Sequence, residues 1–283
     1  MWPKRPFFWH EGRRVLMVSI PFTWNLPQVR RYLEAGAPSW DVAMVGGPAV
    51  KLMPEYLAGV PNVIIGEDCP GVLQRVNPFA TRTTTGCIRK CQFCGIGTGK
   101  IEGKFQELPD WPDLPIVCDN NLLASSEAHF DKVMDRLEHH RGVDFNQGLD
   151  ARLLTPYHAE RFARLNRPHI RLALDHERDA GEWDDAFDAL VRAECPKSWI
   201  SSYALIGFDS GPEEAWRRCG FIEDHKIKAY PMWFHGLDCL KWNTITTDQV
   251  ALGWSKKART DLMGWFYQHR GTAESRKEIT HAI

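Results

Sequence analysis

Apolar and polar positions alternate along this chain in short blocks, and the blocks change period. Compact apolar runs at "RVLMVSI" (Arg14–Ile20), "DVAMVGG" (Asp41–Gly47) and "NVIIGE" (62–67) read as buried strands. Between them, "QVRRYLEAG" (Gln28–Gly36) and "KLMPEYLAG" (Lys51–Gly59) read as helical segments, each closed by glycine. These pieces predict a small doubly wound unit over about residues 14–70. The alternation then resumes. "PIVCDNNLL" (Pro115–Leu123) predicts a strand running into a polar loop. "SSEAHFDKVMDRLEHH" (Ser125–His140) carries Phe130, Val133, Met134 and Leu137 at i, i+3, i+4 and i+7, with Ser125 or Ser126 as cap.

"VDFNQGLDARLL" (Val143–Leu154) predicts a strand and a polar turn. It leads into a helix with Thr155 as N-cap and Pro156 in its first turn. "IRLALD" (Ile170–Asp175), "WISSYALIGFD" (Trp199–Asp209) and "KAYPMWFHG" (Lys228–Gly236) are further strands, the second followed by a helix from "SGPEEAWRR". Five or six βα units are too few for a closed eight-stranded barrel, so the pattern predicts a partial one. The tail from Lys241 reads as mostly helical.

Composition adds three constraints. Hydrophobic residues are 43% and charged residues 25%, as expected of a globular core, and no apolar run reaches the length of a membrane span. Net charge is −1, which gives no bulk attraction to nucleic acid or anionic lipid. The basic N-terminal stretch lacks a small-residue cleavage site, so the expected location is cytoplasmic, a host cytoplasm if the protein is viral, and the cysteines are expected to be thiols or metal ligands.

Three of the eight cysteines are concentrated in "TTTGCIRKCQFCGIG" (Thr83–Gly97), as Cys87, Cys91 and Cys94. Glycines flank the set and permit tight turns around a metal centre. Three thiolates on an iron–sulfur cluster leave one iron open, as three ligands do at a catalytic zinc. No histidine lies between Gly71 and Leu123 to complete a zinc site, although zinc and scattered thiols remain the alternatives. Polar residues also collect where strands end: Asp119, Asn120 and Asn121; Gln147 and Asp150; Asp175; Asp209. Ligands of parallel α/β sheets sit at such ends.

C-x3-C-x2-C with aromatic Phe93 before the third cysteine resembles the signature of radical S-adenosylmethionine (SAM) enzymes. The resemblance implies a partial (β/α)6 barrel over residues 79–240, with "NPFATRTTTG" (Asn77–Gly86) as its first strand. It also implies a [4Fe–4S] cluster on Cys87, Cys91 and Cys94 and SAM on the open iron. A one-electron reductant would then drive release of a 5′-deoxyadenosyl radical that takes hydrogen from substrate. SAM contacts would map to Phe93, Asp119, Asn120, Asn121, Gln147, Asp150, Arg152 and Gly207. Asp119–Asn121 depart from the "GGE"-like segment that the family often has there.

Residues 1–78, through "VAMVGGPAVKLMPEYL", resemble a shortened, Rossmann-like cobalamin-binding domain. D-x-H-x-x-G is absent, so no cobalamin is expected. The remaining cysteines, Cys69, Cys118, Cys195, Cys219 and Cys239, show no auxiliary-cluster spacing. "NQGLDARLL" and the short N-terminal unit are similar to phage radical SAM isomerases of thymidine hypermodification, which implies rearrangement of a glycyl group on thymine. Methyl or methylthio transfer, and a non-catalytic iron–sulfur protein, are the alternatives. The helical tail (241–283) offers Lys256, Lys257, Arg259, His269 and Arg270 for phosphate and Trp254, Trp265, Phe266 or Tyr267 for base stacking, against an amphipathic helix packed on the core.

Overall fold

The structure, a computed structural model, describes residues 5–12, 14–36, 39–66 and 71–268. Glu67, Cys69, His269 and Arg270 lie outside the described residues. The chain divides into two compact units: 1–80 with 89–104 and 235–244, and 81–88 with 105–234 and 245–283.

In the first unit, β1 (Phe7–Glu11), β2 (Val15–Ser19), β3 (Val42–Gly46) and β4 (Val63–Ile65) form one sheet in that order, around helices α1 (Leu26–Ala35), α2 (Pro48–Leu52) and α3 (Val72–Val76). β2, β3 and β4 are mutually parallel, and β1 adds antiparallel to β2. Period-2 alternation sends Leu16, Val18, Ala43 and Val45 into a core with Leu26, Val29 and Leu33 of α1 and Ala49 and Val50 of α2. The strand order never reverses, so this unit is singly wound and not doubly wound as expected. The opposite sheet face accordingly stays open, with Met44 and its ladder partner Ile64 exposed.

The second unit is mixed α/β with parallel strands. β5 (Ala80–Thr81) is followed by the short antiparallel pair β6 (Thr84–Thr85) and β7 (Gln106–Glu107). β8 (Ile116–Val117) lies between β5 and β9 (Asp144–Phe145) in a three-stranded sheet. A second, four-stranded sheet is parallel throughout, in the order β10 (Leu149–Asp150), β11 (Ile170–Ala173), β12 (Ile200–Ile206) and β13 (Lys228–Trp233). An isolated parallel bridge, Asp144 to His169, links the two ladders. Among the described residues the parallel strands of this unit thus make two ladders and not one continuous barrel sheet.

Helices follow the strands: α4 (Glu127–Leu137) after β8, α5 (Pro156–Ala163) after β10, α6 (Ala180–Arg192) after β11 and α7 (Pro212–Asp224) after β12. α8 (Thr247–Ala251) and α9 (Lys256–Gln268) end the described chain. The expected caps form. Ser126 Oγ accepts the His129 N–H at the start of α4, and Thr155 and His158 make a reciprocal capping box on α5. One face of β12 (Ser202, Ala204, Ile206) is buried toward the helices, where Trp183 Nε1 donates to Ser202 Oγ at 3.0 Å. The other face carries Tyr203 and Leu205, both half-buried.

The predicted first barrel strand is much shorter than expected. Its middle hydrogen-bonds elsewhere: the Thr83 and Thr84 N–H groups donate to the Asp119 carboxylate at 2.6 and 3.0 Å. A side chain thereby takes the donors that a longer strand would spend on a ladder.

Candidate metal and cofactor site

Cys87, Cys91 and Cys94 are in no disulfide and are half-buried. Cys87 belongs to the second unit, and Cys91 and Cys94 to the first. Gly86, at φ 69°, turns the chain into Cys87 through a conformation that side-chain-bearing residues avoid. Beyond it, the Cys94 N–H donates to the Cys91 carbonyl at 3.2 Å and the Thr98 N–H to the Cys94 carbonyl at 2.9 Å. A Cβ on Gly97 would lie 2.6 Å from the Cys91 nitrogen, so this loop closes only around glycine. Phe93 is half-buried within it.

The other cysteines have different surroundings. Burial pushes the Cys118 thiol up to about 12, with Asp119 adding to the effect, and the Cys195 thiol up to about 11. Both stay protonated at neutral pH and pack as small apolar residues, as does fully buried Cys219. Cys239 is half-buried and donates to the Lys241 carbonyl.

The strand-end residues separate into distinct roles. Asn121, 2% exposed, donates from Nδ2 to Cys87 Sγ at 3.6 Å and to Asp150 Oδ2 at 3.3 Å. Its Oδ1 is buried and accepts no hydrogen bond from the described residues. Asp150 is bound in turn by Arg152 Nε at 2.7 Å, and Arg152 Nη1 reaches Asp179 Oδ2 at 3.5 Å. A polar relay therefore runs from Cys87 through Asn121, Asp150 and Arg152 to Asp179, across the ends of β8, β10 and β11.

Asp119 does not join it. Besides the two backbone donors it accepts the Thr83 hydroxyl, so it braces the segment that leads to Cys87 instead of offering oxygens to a cofactor. Burial raises its carboxyl above the usual range while those donors pull it back. Asn120 is half-buried and Gln147 exposed.

Gly207, at φ 78°, sits where a Cβ would meet the Trp233 ring at 2.6 Å, and its carbonyl accepts from Gln249 Nε2 at 2.8 Å. Asp175 and Asp209, which the strand-end pattern singled out, belong to the same strand ends. Asp175, after β11, is held above the usual carboxylate range by burial, opposed by His176, Arg218, the Leu205 N–H and Arg152. His176 Nδ1 lies 3.0 Å from Asp209 Oδ2. The polar strand-end clustering was the signal for both; their pairing depends on side-chain direction, which spacing does not encode.

Of the two readings of the tail, Arg259 follows the packed amphipathic helix and not the phosphate patch. Arg259 is buried, 5.5 Å above the Trp233 ring, so it packs and does not face solvent phosphate. Lys257 pairs with Asp261 at 2.6 Å, and Lys256 is exposed. Trp254 and Phe266 are core residues, Trp265 is half-buried, and Tyr267 donates to the Pro231 carbonyl, so the amphipathic packing wins over base stacking. No helix among the described residues is long and apolar enough to cross a membrane.

The donor set here is three thiols outside any disulfide, of a kind that binds soft metals and iron–sulfur clusters, with an amide N–H on the Cys87 sulfur. Comparison with protein-family models, with curated proteins and with solved structures found no match to this chain.

Proposed function

We propose that the chain is a radical SAM enzyme. Cys87, Cys91 and Cys94 would hold a [4Fe–4S] cluster, and Asn121, Asp150 and Arg152 would line the SAM-binding side. The observation that carries this reading is the C-x3-C-x2-C trio, outside any disulfide, with Asn121 donating to the Cys87 sulfur. When bound, such a cluster with SAM at its open iron supplies one electron to the sulfonium C–S bond and frees a carbon radical that abstracts hydrogen.

The protein's own residues bind and orient. A hydrogen bond from Asn121 stabilises negative charge on the Cys87 sulfur. The unsatisfied Asn121 Oδ1 suits a ligand N–H, since a buried acceptor left without a donor is costly. Asp150, fixed between Asn121 and Arg152, presents a preorganised anionic edge. Gly207 keeps the end of β12 free of a side chain beside Trp233. The partial (β/α)6 arrangement belongs to the same reading and is supported by the consecutive parallel strands with intervening helices.

The proposed substrate is a modified nucleobase, with isomerisation of a glycyl-thymidine in phage DNA as the specific reaction. It rests on the likeness of "NQGLDARLL" (Asn146–Leu154) and of the short N-terminal unit to the hypermodification isomerases.

The test is anaerobic reconstitution with iron and sulfide, then dithionite and SAM. The reading expects 5′-deoxyadenosine and methionine in equal amounts, abolished in Cys91→Ala. An intact cluster that leaves SAM uncleaved would instead favour a non-catalytic iron–sulfur protein.

A further inference from the structure

A second group of metal-ligating side chains lies apart from the strand ends. His139 and His140 follow the C-terminus of α4, and Asp113 lies in the loop that leads into β8. They therefore sit at the amino ends of the strands, opposite the Asn121–Asp150 relay. His140 Nε2 is 2.9 Å from Asp113 Oδ1, and His139 Nε2 is 3.4 Å from Asp113 Oδ2. The two rings are 4.1 Å apart. Among the described residues, no other set of three His, Cys, Asp or Glu places its ligand atoms within 4.8 Å of one another.

These separations, each imidazole to its own oxygen of Asp113, are close to those between donor atoms around one cation. Metal–ligand bonds of about 2.0–2.1 Å arranged tetrahedrally put neighbouring donor atoms about 3.3 Å apart. Hydrogen bonding of both imidazoles to one carboxylate gives similar distances, but it brings little for ordering side chains that are 61%, 21% and 42% exposed at His139, His140 and Asp113. A cation would join all three.

The backbone at this site is also already set. Lys132 Nζ donates to the Pro109 carbonyl at 2.7 Å. Arg136 Nη1 donates to Asp110 Oδ1 at 2.9 Å and to the Trp111 carbonyl at 3.2 Å. Both cations cover the Trp111 ring, at 4.8 and 4.6 Å. The loop bearing Asp113 is thus held along the helix that ends at the two histidines, so little ordering remains on binding.

We infer that Asp113, His139 and His140 form a surface site for a borderline divalent cation of the zinc type, clamping the 108–115 loop to the end of α4. Two imidazoles and one carboxylate select zinc, nickel or cobalt over magnesium or calcium. Three protein ligands leave a fourth position for water. The site stands independently of the iron–sulfur reading.

Zinc also binds thiolates, so the test separates the two. Equilibrium dialysis of the full chain carrying C87A/C91A/C94A should show a zinc ion bound at micromolar concentration. Adding His139→Ala and His140→Ala should weaken it at least tenfold, whereas unchanged binding overturns the inference. Wild-type crystals exposed to zinc give the same answer without the cysteine substitutions, because anomalous scattering locates each ion. A peak within bonding distance of both Nε2 atoms is expected, and zinc peaks at the cysteines alone would overturn it.

Discussion

The Asn121 amide donates to the Cys87 sulfur while its own carbonyl oxygen, buried beside it, accepts nothing from the described residues. One side chain thus faces the Cys87 sulfur on one side and an unmet demand for a donor on the other. In the proposed reading the amide N–H stabilises the reduced cluster, which carries more negative charge on sulfur, more than the oxidised one. Asn121→Leu removes the donor at nearly constant volume. A differential hydrogen-bond strength of about 1 kcal/mol corresponds to about 40 mV for a one-electron couple. EPR-monitored potentiometry should show the midpoint falling by about that much. An unchanged potential with full cluster occupancy would remove Asn121 from this role.

Asp119 acts one step further back, as the acceptor for three donors of Thr83 and Thr84. Asp119→Ala strands two buried N–H groups, at roughly 1–3 kcal/mol each. Chemical denaturation should show a loss of about 2–6 kcal/mol, accompanied, in the proposed reading, by lower iron retention at Cys87. Wild-type stability in this variant would mean the segment is held by other contacts.

Asp175 gives a pH prediction. Burial raises its folded pKa above the unfolded value of about 3.9. Just above pH 4 the unfolded state loses its proton first, so it binds fewer protons than the folded state and stability falls as pH rises. The contribution is intact below the unfolded pKa and is lost as pH passes through the raised folded value. Asp175→Asn should flatten that decline and raise stability at pH 7 by about 1 kcal/mol. Unfolding curves measured from pH 4 to 8 check it. A variant less stable at pH 7 would show that His176, Arg218 and Arg152 outweigh burial.

Gly207→Ala combines two costs. The added Cβ meets the Trp233 ring, which is packed against Trp254 at 4.9 Å and under Arg259 at 5.5 Å and has nowhere to move. The backbone also holds a positive φ of 78°. A loss of roughly 2–4 kcal/mol follows, read as a fall in thermal midpoint. An unaltered midpoint would show that β12 and β13 adjust freely at this point.

Much of the α/β pattern was legible because its signals are local. The i, i+3, i+4, i+7 stripe of α4, the Ser126 cap and the Thr155–Pro156 start of α5 each depend on neighbours within a few residues. Features set by distant partners were not. The strand predicted over 77–86 is short where Thr83 and Thr84 bind Asp119, some thirty-five residues on. The winding of the N-terminal unit is a matter of strand order, which periodicity leaves open. Arg259 looked like a phosphate ligand because its charge is visible in sequence and its position over Trp233 is not. At the site, the three cysteines stand out by spacing, whereas the difference between Asn121, on a sulfur, and Asp119, on a backbone, is one of side-chain direction.

The central claim is that one iron of the cluster held by Cys87, Cys91 and Cys94 stays open to SAM. Electron–nuclear double resonance on the reduced, reconstituted protein with SAM labelled with 15N at the amine and 17O at the carboxylate measures this directly. The account expects hyperfine coupling from both labels, present in wild type and absent in Cys91→Ala. A reduced cluster that shows neither coupling at saturating SAM, or a protein that takes up zinc in place of iron at these cysteines, would contradict it.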